Sequence, residues 1–91
     1  MLRCLQKGLG MKFTYNWESL KRHKIQIEEV NYVYSNGKSF DLPPSKNGNN
    51  RTMLVGFPEN KIYLLEVGVE EISSEHEHFF HFDRATNYYR S

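Results

Sequence analysis

The stretch RTMLVGFPENKIYLLEVGVEEISSEHEHFFHFD, Arg51 to Asp83, decides the fold. Its apolar runs alternate with period two and are separated by short polar breaks, the pattern of strands joined by tight turns. Arg51 to Phe57 sets Met53, Val55 and Phe57 opposite Thr52, Leu54 and Gly56. Pro58, Glu59 and Asn60 make a tight connection to a strand over Lys61 to Val69, in which Tyr63, Leu65, Val67 and Val69 alternate with Ile62, Leu64, Glu66 and Gly68. Glu70 to Glu75 reads as an acidic turn. The last strand is expected over Glu77 to Asp83, with Phe80 and Phe82 as core candidates and Phe79 and His81 on the other face. Three consecutive strands with short polar loops are most simply an antiparallel meander.

Upstream, Lys12 to Tyr15 is aromatic and β-branched, which suggests a short edge strand. Asn16 is suited to cap a helix over Trp17 to His23, with Glu18 in its first turn and Lys21 and Arg22 in its last, the charge order a helix dipole favours. Ile27, Val30 and Tyr34 form a helical stripe in a second helix that Asn36-Gly37 should stop. Val30, Tyr32 and Tyr34 also alternate as a strand would. Ser39 to Leu42 can add a minor strand, and Pro43 to Asn50 is the clearest loop. Ala85 to Arg90 is read as a short closing helix and residues 1–10 as a flexible extension. The expected fold class is therefore α+β, with N-terminal helices packed on a small antiparallel sheet, in one domain over 11–91.

Ninety-one residues suffice for one modest core and not for two domains. Hydrophobic residues at 38% and aromatics at 14% argue against global disorder. A formal charge of +1 provides no overall field for nucleic acid or membrane, so a polyanion site must be a local cluster. One cysteine, Cys4, excludes an intramolecular disulfide and a multi-cysteine zinc site. No apolar run approaches the ~18 residues of a membrane span, and the expected location is the cytoplasm.

Phosphate-loop, dinucleotide-fingerprint and HExxH patterns are absent. His76, His78 and His81 invite a metal reading, but plain alternation turns 81 away from 76 and 78, so a metal site is not expected. An outward His81 beside Asp83 and Arg84 suits proton transfer or phosphate binding, because imidazole titrates near neutrality and guanidinium grips oxyanions. The bland alternative is a half-buried surface histidine. Arg22 and His23 at a helix end are explained by capping alone, or as one wall of an anionic groove shared with Arg51, Arg84 and Arg90.

Arg22-His23-Lys24-Ile25 followed by Glu28-Glu29-Val30 resembles the "KHGI..EEV" element of BrnT-type toxins, with Lys24 standing where that family has glycine. His81-Phe82-Asp83-Arg84-Ala85-Thr86 is similar to the family's "HARKAT" or "SARKAT" run, and Arg51 to Gly56 resembles its arginine-led strand. The resemblance spans about Lys12 to Arg90. It implies a RelE-like fold and a ribonuclease that stops translation, held in check by a ribbon-helix-helix antitoxin, with RNA as substrate, no cofactor or metal, and homodimerisation left open. The catalytic candidates, taken from the residues and the resemblance together, are Arg22, His23, Arg51, His81, Asp83 and Arg84. The competing expectation is a noncatalytic interaction module of the same fold, marked by exposed aromatics such as Phe79, Tyr88 and Tyr89.

Overall fold

The computed structural model describes residues 11–84, so the expected closing helix and the first ten residues lie outside it. Strand β1 (Lys12–Tyr15) leads into helices α1 (Trp17–His23) and α2 (Ile27–Asn36). Strands β2 (Lys38–Leu42), β3 (Arg51–Gly56), β4 (Leu65–Ser73) and β5 (His76–Arg84) follow. The sheet order is β1-β5-β4-β3-β2. Four consecutive strands form an antiparallel meander, and β1 joins its β5 edge in parallel, which makes the sheet mixed where a purely antiparallel one was expected.

Both helices lie against one face of the sheet, α1 on β5 and α2 on β3 and β4. Asn16 caps α1 by accepting from the Ser19 amide at 3.2 Å. On α2, Glu29, Val30 and Val33 are buried, and Ile27 and Tyr34 pack at the margin, so the helical period prevails over the competing strand alternation. The core unites Leu20, Ile25, Val30 and Val33 with Leu54, Leu65, Val67, Val69, Phe79 and Phe82. Burying that apolar surface is the principal term holding the helices to the sheet.

The end of α1 explains a departure noted in the sequence. Lys24 adopts a left-handed backbone (φ 55°, ψ 47°), with its amide donating to the carbonyls of Leu20 and Lys21. A side chain is disfavoured there and glycine is not. Lys24→Gly is expected to raise stability by about 0.5–1 kcal/mol, read as a higher urea midpoint with an unchanged slope.

The β4 and β5 spans differ from expectation. β4 starts at Leu65 and runs through the acidic segment to Ser73. Glu70 and Glu71 stay extended because β3 and its loop supply their partners: Asn49 donates to Glu70 at 2.8 Å, and the Glu71 amide donates to the Asn50 carbonyl at 2.9 Å. On β5 the register slips between Gly68 and Val69, whose partners are His81 and Phe79, leaving Phe80 as the extra residue of a bulge. Phe79 and Phe82 therefore both enter the core, 1% and 0% exposed, and Phe80 turns to the open face. The expected pairing of Phe80 with Phe82 in the core, and an exposed Phe79, are corrected by that inserted residue.

Candidate active site

The face of the sheet opposite the helices carries His76, His78, His81, Glu66 and Glu70. The bulge turns His81 onto this open face, where His76 and His78 also lie, bonded to the Thr14 hydroxyl at 2.9 and 2.7 Å. The expectation that 81 points away from 76 and 78 is thereby corrected. Among the described residues no three His, Cys, Asp or Glu side chains are arranged to hold a metal ion.

His81 Nε2 lies 3.0 Å from Glu66 Oε1, in a pair whose side chains are 37% and 17% exposed. Glu66 is in turn the register partner of Asp83 on β5. Asp83 Oδ1 lies 3.3 Å from His23 Nδ1 at the end of α1. Two imidazole–carboxylate pairs are thus linked through the Glu66 and Asp83 register pair, His81 with Glu66 on the open face and His23 with Asp83 at the end of α1.

Arg84 joins them. Its guanidinium donates to the His23 carbonyl at 2.8 Å and lies over the Tyr63 ring at 4.8 Å. It answers the negative end of the α1 dipole while keeping donors for an anion. Tyr63 donates to Glu29 at 2.7 Å, and its phenol is pushed above its ordinary value, by burial first and then by Glu29, so it stays protonated at neutral pH. Arg22 is exposed on α1 directly before His23.

Arg51 is elsewhere. Its row runs to Glu70 and His78, whereas Arg84 pairs with Leu65, five residues along β4. At the rise of an antiparallel strand that is about 17 Å. Its Nε donates to the Pro43 carbonyl at 2.8 Å, and its guanidinium lies 5.5 Å from the centre of the Phe80 ring. The structure thus brings His23, Asp83 and Arg84 together with the Glu66–His81 pair alongside, keeps Arg22 at their margin, and sets Arg51 about 17 Å along the strands from Arg84 but two residue pairs from the His81 row.

Glu70, beside Arg51, is held below the usual carboxylate range, chiefly by the hydrogen bond from Asn49. A carboxyl depressed in the folded state stabilises the fold above its unfolded pKa, and that contribution fades as pH falls through the lower folded value. Asn49→Ala is expected to shrink the loss of urea midpoint seen on acidifying from neutral pH into the carboxylate range. The effect is small because the group faces solvent.

The sequence reading did not single out Glu66, Tyr63 or Thr14. Glu66 is legible in principle as the residue opposite Asp83 in a hairpin turning at Ser74 and Glu75, but an acidic turn over Glu70 to Glu75 leaves that register open.

The geometry matches a known architecture. The chain resembles the crystal structure of the Brucella abortus ribonuclease toxin BrnT with a TM-score of 0.55, over 84% of this chain and 97% of that one. The fold is BrnT-like. Sequence identity is 15%, so the likeness carries the fold alone. No protein-family model and no curated protein matches the sequence. Among the described residues no helix is long and apolar enough to cross a membrane. Against the BrnT-like architecture, the His23 and Arg84 cluster falls where α1 meets the end of the last described strand.

Proposed function

We propose that this chain is a ribonuclease toxin of a toxin–antitoxin pair, cutting RNA by transesterification at ribose without a metal. The observation that carries this reading is the pair of imidazole–carboxylate units, His81 with Glu66 and His23 with Asp83, beside Arg84 on a BrnT-like sheet. Ribose cleavage needs one group to take the 2′-hydroxyl proton and another to supply a proton to the leaving oxygen. A neutral imidazole accepts the first, the 2′-oxygen bonds to phosphorus, and the bond from phosphorus to the 5′-oxygen breaks with its electron pair on oxygen. The second imidazole, as imidazolium, protonates that oxygen, giving a 2′,3′-cyclic phosphate and a 5′-hydroxyl. Arg84 and Arg22 stabilise the charge of the pentacoordinate transition state. Asp83 orients His23, and Arg51 contacts a phosphate further along the strand.

A ribbon-helix-helix protein as antitoxin, the cytoplasm as location, and homodimerisation belong to the same proposal. The test is incubation of a long RNA with the purified full chain in EDTA. Cleavage is expected, and its absence from folded protein at high concentration would remove the enzymatic reading.

A second reading, a noncatalytic interaction module, is favoured by one observation. Phe40 and Phe57, both about half exposed, rim an apolar groove of about 590 Å³ with Val55 and Leu64, away from the histidines. Failure of EDTA-resistant cleavage would favour that groove as the functional surface.

A further inference from the structure

We propose that Glu66 is a positioning residue that holds His81 in the tautomer protonated at Nε2, making Nδ1 the proton acceptor of the site. What that acceptor acts on rests on the ribonuclease reading above, whereas the tautomer does not.

An ionised carboxylate only accepts, so the imidazole nitrogen 3.0 Å from Glu66 Oε1 carries the proton. A neutral imidazole has one N–H, and with Nε2 as donor the lone pair is at Nδ1. The other carboxylate at this end of the sheet cannot exchange roles with Glu66 cheaply, because Asp83 is turned to His23 Nδ1 at 3.3 Å and also accepts from the Arg84 amide at 2.8 Å. Each imidazole therefore has its own carboxylate. His23 is directed to carry its proton on Nδ1 and present Nε2, the opposite nitrogen from His81.

Packing makes the arrangement rigid. Glu66 is on β4, which is flanked by β3 and β5, and it is among the less exposed charged groups on the open face. Gly68, opposite His81, leaves the room its neighbours need: a Cβ there would fall 2.9 Å from His81 Cβ and 2.8 Å from Phe80 Cζ. The Phe80 ring fills that space beside His81. A hydrogen bond in such a partly desolvated setting is strengthened by its surroundings, and outer partners of this kind fix histidine orientation in other sites.

The test has two readouts on the full-length protein. Nitrogen-15 spectra of the His81 ring, recorded at a pH where it is neutral, are expected to show one tautomer with Nε2 protonated. Glu66→Gln and Glu66→Ala should turn this into a mixture and lose the protected Nε2–H signal, and Glu66→Asp should restore it in part. In RNA cleavage, the same substitutions should lower kcat about 10–100-fold with KM unchanged. A wild-type ring protonated at Nδ1, or a tautomer indifferent to Glu66→Gln, would overturn the inference. A fixed tautomer in a wild type that cuts no RNA would support the positioning role and sink the ribonuclease reading instead.

Discussion

Replacing His81 with alanine is expected to slow RNA cleavage by about 10²–10⁴-fold, the usual contribution of a positioned acid or base, while leaving the fold intact. His81 is on the open face and over a third exposed, outside the cluster that unites the helices with the sheet. Its removal costs the bond to Glu66 and little packing, so the unfolding free energy read from urea curves should fall by less than about 1 kcal/mol. Arg51→Ala is the informative control: its row is two residue pairs along β4 from that of His81 and its guanidinium lies over the Phe80 ring, so it should weaken RNA binding more than it lowers kcat. Equal losses from both substitutions would mean that the reacting phosphate lies elsewhere on the sheet. Arg84 is a poorer probe, since its substitution also releases the His23 carbonyl and the Tyr63 ring. Arg84→Lys keeps the charge and is preferable to alanine.

Phe79→Ala is expected to destabilise the protein by about 3–5 kcal/mol, and Phe80→Ala by much less. Phe79 is at the junction of β1, β5 and α2. Its ring stacks on Tyr15 at 5.0 Å, meets Tyr34 edge-on at 5.6 Å, and approaches Phe13 at 5.9 Å and Phe82 at 6.3 Å. The edge strand β1 contributes two of those rings, so the cavity would also loosen the parallel pairing of β1 with β5. Against a total stability of about 5–15 kcal/mol for a typical domain, a loss of that size leaves much of the population unfolded under mild denaturant. Phe80 rests on Gly68 and Arg51 on the open face and closes no core. The two midpoints in urea check the claim. A severe Phe80→Ala and a mild Phe79→Ala would restore the simple alternation.

That contrast marks where sequence reasoning succeeds and stops. Asn16, the charge order of α1, the stripe on α2 and the Asn36-Gly37 stop are local signals, and the helices follow them. A bulge is not local: whether Phe80 counts in the alternation depends on the strand beside it. The irregularity near Ile72 on β4 offsets the one at Phe80, so Glu66 and Asp83 pair as they would across an unbulged hairpin, although the residues between have changed phase. The histidine face was misread for the same reason. The separation of Arg51 from Arg84 follows from strand register, which hydrophobic patterning leaves open by whole pairs of residues. The site was legible as residue types in His81, Asp83 and Arg84, but its second carboxylate was not, because Glu66 reads as an ordinary solvent-facing residue until its strand is paired.

Metal-free cleavage through the ribose hydroxyl at this end of the sheet is decided by giving the full chain one strand sequence in two forms, with ordinary ribose and with 2′-O-methyl ribose, both in EDTA. Cleavage of the ribose form alone is expected, leaving 2′,3′-cyclic phosphate and 5′-hydroxyl ends. Cleavage of both forms, of neither, or only after a divalent ion is restored would contradict it.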